Sequence, residues 1–233
     1  MGALAPCMAA AAIVAPLAGS PGSLPPEPWV VSGLPAQTLP VTRFVLERQD
    51  VGIVLRVQTA ASYGYLVHAL NGVPAGWLSW RWRVDKALAS PDLRRREGDD
   101  VALKVCVVFD MPRSVVPFVE RQLLRLAESR SGERLPTATV CYAWDPSWPE
   151  GTVVPNVYSR RVRYITLGSK VQSWRAVQRD LAADFVRAFG DETTSVPEVL
   201  AIALGADADN TRGESLGFIA DLDFTPGGRT RQE

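Results

Sequence analysis

The residues best suited to chemistry gather where an apolar run stops. Val199–Leu204 is continuously apolar, and Asp207-Ala-Asp-Asn-Thr211 follows within three residues. A strand that ends in two aspartates and an asparagine carries oxygen ligands into an exposed loop. Asp207, Asp209 and Asn210 are therefore the candidate metal ligands, and calcium is the candidate ion. Calcium takes roughly six to eight oxygens, so this loop supplies about half a shell. Gly98-Asp99-Asp100 or Asp180 would complete it if the fold brings one of them near. The EF-hand spacing is absent, with no glycine or glutamate at the required loop positions. Without a cation, the same residues cap turns and neutralise neighbouring arginines.

A second chemistry is aromatic. Trp144, Trp148, Trp174 and Trp77 are candidate platforms on which a sugar ring stacks. Trp148 lies in the loop Asp145-Pro-Ser-Trp-Pro-Glu-Gly151 and is expected to be the most exposed. Trp144 and Trp148, with Asp207, Asp209 and Asn210, form the expected ligand-binding set. For Trp174 and Trp80 core packing is the default. His68 is the sole histidine, which excludes a histidine-based metal cluster. No nucleophile elbow, phosphate loop or dinucleotide fingerprint appears. Glycan hydrolysis needs only two carboxylates at a set separation, so it stays open, and no catalytic residue is assigned.

The elements that must position these residues read mostly as strands. Arg43–Glu47, Gly52–Thr59, Gly64–His68, Leu78–Val84, Val101–Phe109, Thr139–Trp144, Arg161–Leu167, Ser173–Arg179, Val199–Leu204 and Leu216–Phe224 alternate or run apolar between turn signals. Asn71-Gly72 and Pro74-Ala-Gly76 read as turns. In Leu78–Val84, Trp80 and Trp82 share one face while Arg81 and Arg83 share the other. The arginine face is expected to meet Glu97, Asp99, Asp100 or Asp110. Two helical pieces interrupt. One is capped by Ser114 and runs to about Ser129, with Val119, Leu123 and Leu126 at helical spacing and Arg121, Arg125 and Glu128 toward water. The other spans Leu181–Phe189, with Asp180 as N-cap and Gly190 at its end; Asp184 is expected to pair with Arg179 or Arg187. The pattern predicts an all-β, antiparallel β-sandwich with one or two short helices.

Composition bounds the function. The chain has 233 residues, with 25 Lys plus Arg against 25 Asp plus Glu, so no basic surplus points to nucleic acid. Residues 1–20 carry no charge and are rich in Ala, Leu, Val and Pro, like the apolar part of a secretory signal without its basic start. A mis-assigned start codon would account for that missing start. Residues 21–40 read as a Pro/Gly-rich linker, 41–225 as one domain and 226–233 as a disordered tail. No run is long enough for a spanning helix after processing. Cys106 and Cys141 either bridge in an oxidising compartment or stay as two small buried side chains.

Trp80-Arg-Trp-Arg-Val84, Gly98-Asp-Asp100, Val105 to Asp110, Tyr142 to Trp144, Trp174 with Arg179-Asp180, Asp184-Phe185 with Phe189-Gly190, and Asp207 to Thr211 occur in an order that resembles a family of bacterial exported proteins, domain of unknown function family 3047. The resemblance covers roughly residues 40–224. Ala208 stands where that pattern has Thr, and Cys106 where it has an aromatic residue. The resemblance implies export and a β-sandwich and brings no catalytic assignment. A looser architectural likeness is to galactose-binding-like jelly rolls, the sandwich of many carbohydrate-binding modules. The expected protein is periplasmic or secreted and binds a glycan or another cell-envelope component without catalysis. A glycan hydrolase using paired carboxylates, or an interaction protein without a small-molecule site, are the alternatives.

Overall fold

The computed structural model describes residues 13–145, 147–168 and 170–228. Twelve strands are formed in this part of the chain: β1 (Trp29–Ser32), β2 (Arg43–Gln49), β3 (Gly52–Ala60), β4 (Tyr63–Val73), β5 (Trp77–Lys86), β6 (Lys104–Phe109), β7 (Ala138–Ala143), β8 (Val153–Pro155), β9 (Val162–Thr166), β10 (Arg175–Asp180), β11 (Val199–Asp207) and β12 (Glu214–Thr225). Helix α1 (Phe118–Ser131) lies between β6 and β7, and α2 (Leu181–Phe189) follows β10 directly. The strands build two sheets, in the orders β1-β4-β11-β6-β7-β9-β8 and β10-β5-β12-β3-β2. The expected jelly-roll sandwich is therefore present. One pairing departs from it: β7 and β9 run parallel, because the chain returns through the short β8 before re-entering the sheet.

Alternation decides what fills the space between the sheets. On β5, Leu78, Trp80, Trp82 and Val84 are fully buried, while Arg81 and Arg83 point outward. Val105, Val107 and Phe109 of β6 face them from the larger sheet, with Leu66, Ile202, Leu204 and Ile165. Trp80 and Trp82 pack edge to face at 5.6 Å, a favoured geometry for aromatic pairs. One outward arginine pairs across strands with an acid, as expected, though not with an acid flanking β6. Arg81 pairs with Asp221 of β12, and Arg83 pairs with Asp85 of its own strand at 2.7 Å. Residues two apart lie on one strand face, so Asp85 reaches Arg83 without any help from register.

Helix α2 closes one end of the core with Leu181, Phe185, Ala188 and Phe189. Asp180 caps it as expected, its Oδ1 accepting from the backbone N–H of Ala182 at 3.0 Å and Ala183 at 3.1 Å. Of the two arginines open to Asp184, Arg179 takes it in a two-pronged contact, and the Tyr142 hydroxyl donates to the same carboxylate at 2.8 Å. Gly190 ends the helix with right-handed backbone; a Cβ there would stand 2.4 Å from the Val186 carbonyl oxygen. Close approach, not a left-handed turn, requires this glycine.

Four expectations from sequence are corrected. Residues 21–40 are not simply a linker: they contain β1, which pairs with β4 from Trp29↔His68 to Ser32↔Tyr65. Asn71-Gly72 lies inside β4, and the turn is carried by Pro74-Ala-Gly76 alone. Helix α1 starts after Pro117, not at Ser114, and buries Leu124 while Val119, Leu123 and Leu126 stay exposed. Glu128 of α1 is turned to Arg113 and not to water. Of residues 1–20, 1–12 lie outside the described residues. The following residues lay Val14 and Leu17 into the core, held by Ala15, whose N–H donates to His68 Nε2 at 2.9 Å and whose carbonyl accepts from Trp29 Nε1 at 3.0 Å. Of the expected tail, 229–233 likewise lie outside the described residues.

Candidate functional site

The outer face of the seven-stranded sheet carries the chemistry. Directly opposed residues share a face, so Tyr65, Gly205, Lys104 and Ala143 form one row across β4, β11, β6 and β7. The next row is Val67, Ala203, Cys106, Cys141 and Tyr164. Cys106 and Cys141 are joined by a disulfide across this row, with Cα atoms 4.0 Å apart. Leu93 and Val101 from the connection before β6, with Trp148, cover the second row as a small separate core.

Lys104 is the centre of the site. Its side chain is 1% exposed, and its Nζ donates to Asp207 Oδ2 at 2.6 Å. The other oxygen of Asp207 accepts from the Val101 N–H at 2.7 Å. The ammonium also stands 4.8 Å from the ring centre of Tyr65 and 5.5 Å from that of Tyr63. Gly205 makes this possible: a Cβ at that position would lie 2.6 Å from the Tyr65 ring. Tyr63 and Tyr65 stand edge to face at 5.5 Å and are half-buried. Burial lowers the Lys104 pKa, but Asp207 together with the Tyr164 and Tyr63 side chains raises it by more, so the ammonium is held charged above its ordinary range. Burial raises the Asp207 carboxyl against the pull of Lys104.

The loop after β11 meets the loop before β6, as Gly98-Asp99-Asp100 allowed. Asp100 Oδ1 accepts from the Asn210 N–H and Nδ2, both at 3.2 Å, and its Oδ2 accepts from the Thr211 N–H at 2.6 Å. Asn210 Nδ2 also donates to the Asp99 carbonyl, while its Oδ1 accepts from the Tyr158 hydroxyl at 2.8 Å. Asp99 is buried; one carboxylate oxygen accepts from Asn156 Nδ2 at 2.6 Å and the other has no partner among the described residues. Oδ1 of Asp209 is buried and unpartnered in the same sense. Burial, with Asp207 and Asp100 beside it, pushes Asp99 from the usual 3.8 to about 6, and burial raises Asp209 too.

Carboxylate oxygens of Asp100, Asp207 and Asp209 lie within 4.8 Å of one another. That donor set does not fit calcium. Asp207 is taken by an ammonium and an N–H, Asp100 by three N–H contacts, and the Asn210 carbonyl by Tyr158. The three carboxylates fall well short of a shell of roughly six to eight oxygens, and the Lys104 ammonium already stands beside Asp207. Lys104 supplies the positive charge that Asp207 meets, while Asp99, Asp100 and Asp209 have no ion pair among the described residues.

The tryptophans expected as platforms disperse. Trp144 is buried and lines a cavity of about 230 Å³ with Leu88, Pro91, Asp100 and Asp145. Trp148 is half-buried against the outer core, and the Arg94 guanidinium sits 5.3 Å over its ring. Trp174 lies under Arg81 and Arg83 on the other sheet, and Trp77 is exposed at the start of β5. Lys104, Tyr63 and Tyr65 escaped the sequence reading. The available signal was a lone lysine amid Val101–Phe109, apolar on both faces, which demands a buried carboxylate.

The charge state of Asp99 has a measurable consequence. The folded state holds this proton to about pH 6, whereas an unfolded aspartate releases it near 4. Between those values the folded state binds more protons, so stability falls as pH rises and the loss is complete above about pH 7. Asp99→Asn keeps an acceptor for Asn156 and removes the charge. It is expected to be about 2 kcal/mol more stable than the parent at neutral pH, with the difference vanishing near pH 4. Urea unfolding across this range checks it, and parallel curves would show that Asp99 titrates normally.

No curated protein is detectably related to the chain in sequence. Among solved structures, a family 12 xyloglucanase from Bacillus licheniformis is similar at TM-score 0.44 and 8% identity, over 83% of this chain and 90% of that one. TmCBM61, solved in complex with beta-1,4-galactotriose, has TM-score 0.38 and 10% identity over 86% and 90%. A family 29 carbohydrate binding module from Piromyces equi has TM-score 0.33 and 7% identity over 91% and 93%. At these scores the similarity carries no argument about site or ligand. The family described as "Protein of unknown function (DUF3047)" matches residues 27–223, most of the sandwich with both loops of the site, and the chain belongs to it.

Proposed function

We propose that this protein is a non-catalytic binding module for a polyhydroxylated, glycan-like ligand of the cell envelope, working in the periplasm or outside the cell. The observation that carries the reading is the half-buried Tyr63–Tyr65 pair beside the buried Lys104–Asp207 ion pair. Aromatic rings offer a surface for the C–H face of a sugar. The Lys104–Asp207 pair is itself out of a ligand's reach and holds the two rings in place from beneath. The exposed Tyr158 extends the same surface toward the loops, above the buried oxygens of Asp99 and Asp209. The cross-strand disulfide supports an oxidising compartment.

Hydrolysis is the second reading, and one observation favours it. Asp99, raised to about 6, titrates closer to the working range of a general acid than an ordinary aspartate, and Asp209 is a second carboxylate. Against it, Asp207 and Asp100 are fully committed to hydrogen bonds and cannot act as nucleophiles without breaking them.

A glycan array followed by calorimetry tests the proposal. Tyr65→Ala and Asp209→Asn should each weaken binding tenfold or more. An array without any ligand above background would overturn it. Release of reducing sugar by the parent but not by Asp99→Asn would replace it with the hydrolase.

A further inference from the structure

Helix α1 buries Leu124 and leaves Phe118, Val119, Leu123 and Leu126 between 49% and 65% exposed. Residues three and four apart share a helix face, so Val119, Leu123 and Leu126 form one apolar stripe. A contiguous apolar stripe on an otherwise polar surface marks a place where something docks.

The charges beside the stripe are one-sided. Both acids of the helix that could balance them turn toward the body of the protein. Glu128 is held by Arg113 in a two-pronged contact, and Glu120 lies 3.7 Å from Arg161. Arg121, Arg125 and Arg130 have no acidic partner among the described residues, and Arg121 rests 5.8 Å over the Phe118 ring. At helical spacing Arg130 stands in line with the stripe and Arg125 beside Phe118, both exposed, whereas Arg121 lies toward the inner face and donates to the Arg113 carbonyl. With 14 residues the helix is too short to cross a bilayer, and no helix among the described residues is long and apolar enough to do so.

We propose that α1 docks the protein on an anionic lipid surface. The helix lies flat, with Phe118, Val119, Leu123 and Leu126 in the boundary between headgroups and acyl chains. Arg125 and Arg130 reach back to the phosphates with their long stems against the apolar layer. Charge complementarity selects this occupant over a neutral apolar partner. The surface is separate from the site around Lys104 and does not depend on what that site binds.

Co-sedimentation of the full chain with vesicles tests this. One set is phosphatidylcholine alone, and the other contains one part in three phosphatidylglycerol. The parent should sediment with the anionic vesicles and not with the neutral ones, and added salt should release it. Arg125→Gln with Arg130→Gln should weaken partitioning roughly thirtyfold, about 1 kcal/mol per arginine. Leu123→Gln with Leu126→Gln should abolish it. All four positions lie outside the core, so both variants should keep the parental melting temperature. No binding by the parent overturns the proposal. Undiminished binding by the leucine variant also overturns it, because the contact would then lie elsewhere in the chain. Self-association of the parent that disappears in the leucine variant would assign the stripe to a second copy of the chain instead.

Discussion

Lys104→Met is expected to lower the unfolding free energy by about 3–5 kcal/mol, the usual cost of stranding one member of a buried ion pair. The two side chains are 1% and 5% exposed, so water cannot replace the lost partner. Methionine matches the stem of lysine and fills its volume, so little of the loss comes from packing. What remains is an Asp207 carboxylate with only the Val101 N–H to satisfy it. The variant should relieve this by taking up a proton, so its deficit should shrink as pH falls. Removing the second charge as well, in Lys104→Met with Asp207→Leu, should restore much of the stability. A buried apolar pair is often as stable as the ion pair it replaces. Equilibrium urea unfolding of the four proteins of this cycle gives the coupling energy directly. A single variant as stable as the parent would mean that Lys104 is solvated. If the double variant is stable yet fails to bind the glycan, the ion pair is kept for recognition and not for the fold.

The disulfide carries the second large effect. Cys106 and Cys141 face each other across β6 and β7 at a sequence separation of 35. Closing a loop of that length restricts the unfolded chain, and the chain-entropy account puts the gain at about 4 kcal/mol. That loop contains α1, whose grip on the body of the protein rests on Leu124 and the two ion pairs of its acids. Cys106→Ala with Cys141→Ala should therefore lower the stability by about 3–4 kcal/mol. The change also removes two sulfurs from under Leu93, Tyr164 and Trp148, so protease cleavage in residues 87–100 should become faster even where the fold survives. Unfolding curves and limited proteolysis of parent and variant measure both. Coincident unfolding curves would show that the bridge constrains nothing that the sheet does not already hold.

How much of this was legible in the sequence follows from the range of each interaction. Alternation along a strand is local, so Leu78–Val84 announced its tryptophan face and its arginine face without any partner strand. The cap at Asp180 is local too, because its oxygen reaches only the next turn of backbone. The acidic end of β11 was visible for the same reason. Pairing is not local. Nothing in the residues around Cys106 or Lys104 specifies that β6 sits between β11 and β7, and only that register sets Cys106 opposite Cys141 and Lys104 beside Gly205. β1 and β8 were missed because three- and four-residue strands take their shape from the neighbours that hydrogen-bond to them. Helix α1 was assigned the wrong inner face because its period permits either face to be buried. The tertiary structure chose the one with Leu124, where Arg113 and Arg161 could reach its acids. The sequence thus determined which residues share a strand face and where the carboxylates leave the sheet. The tertiary structure decided which charge they meet, since a buried carboxylate takes the one cation that the register brings within hydrogen-bonding distance.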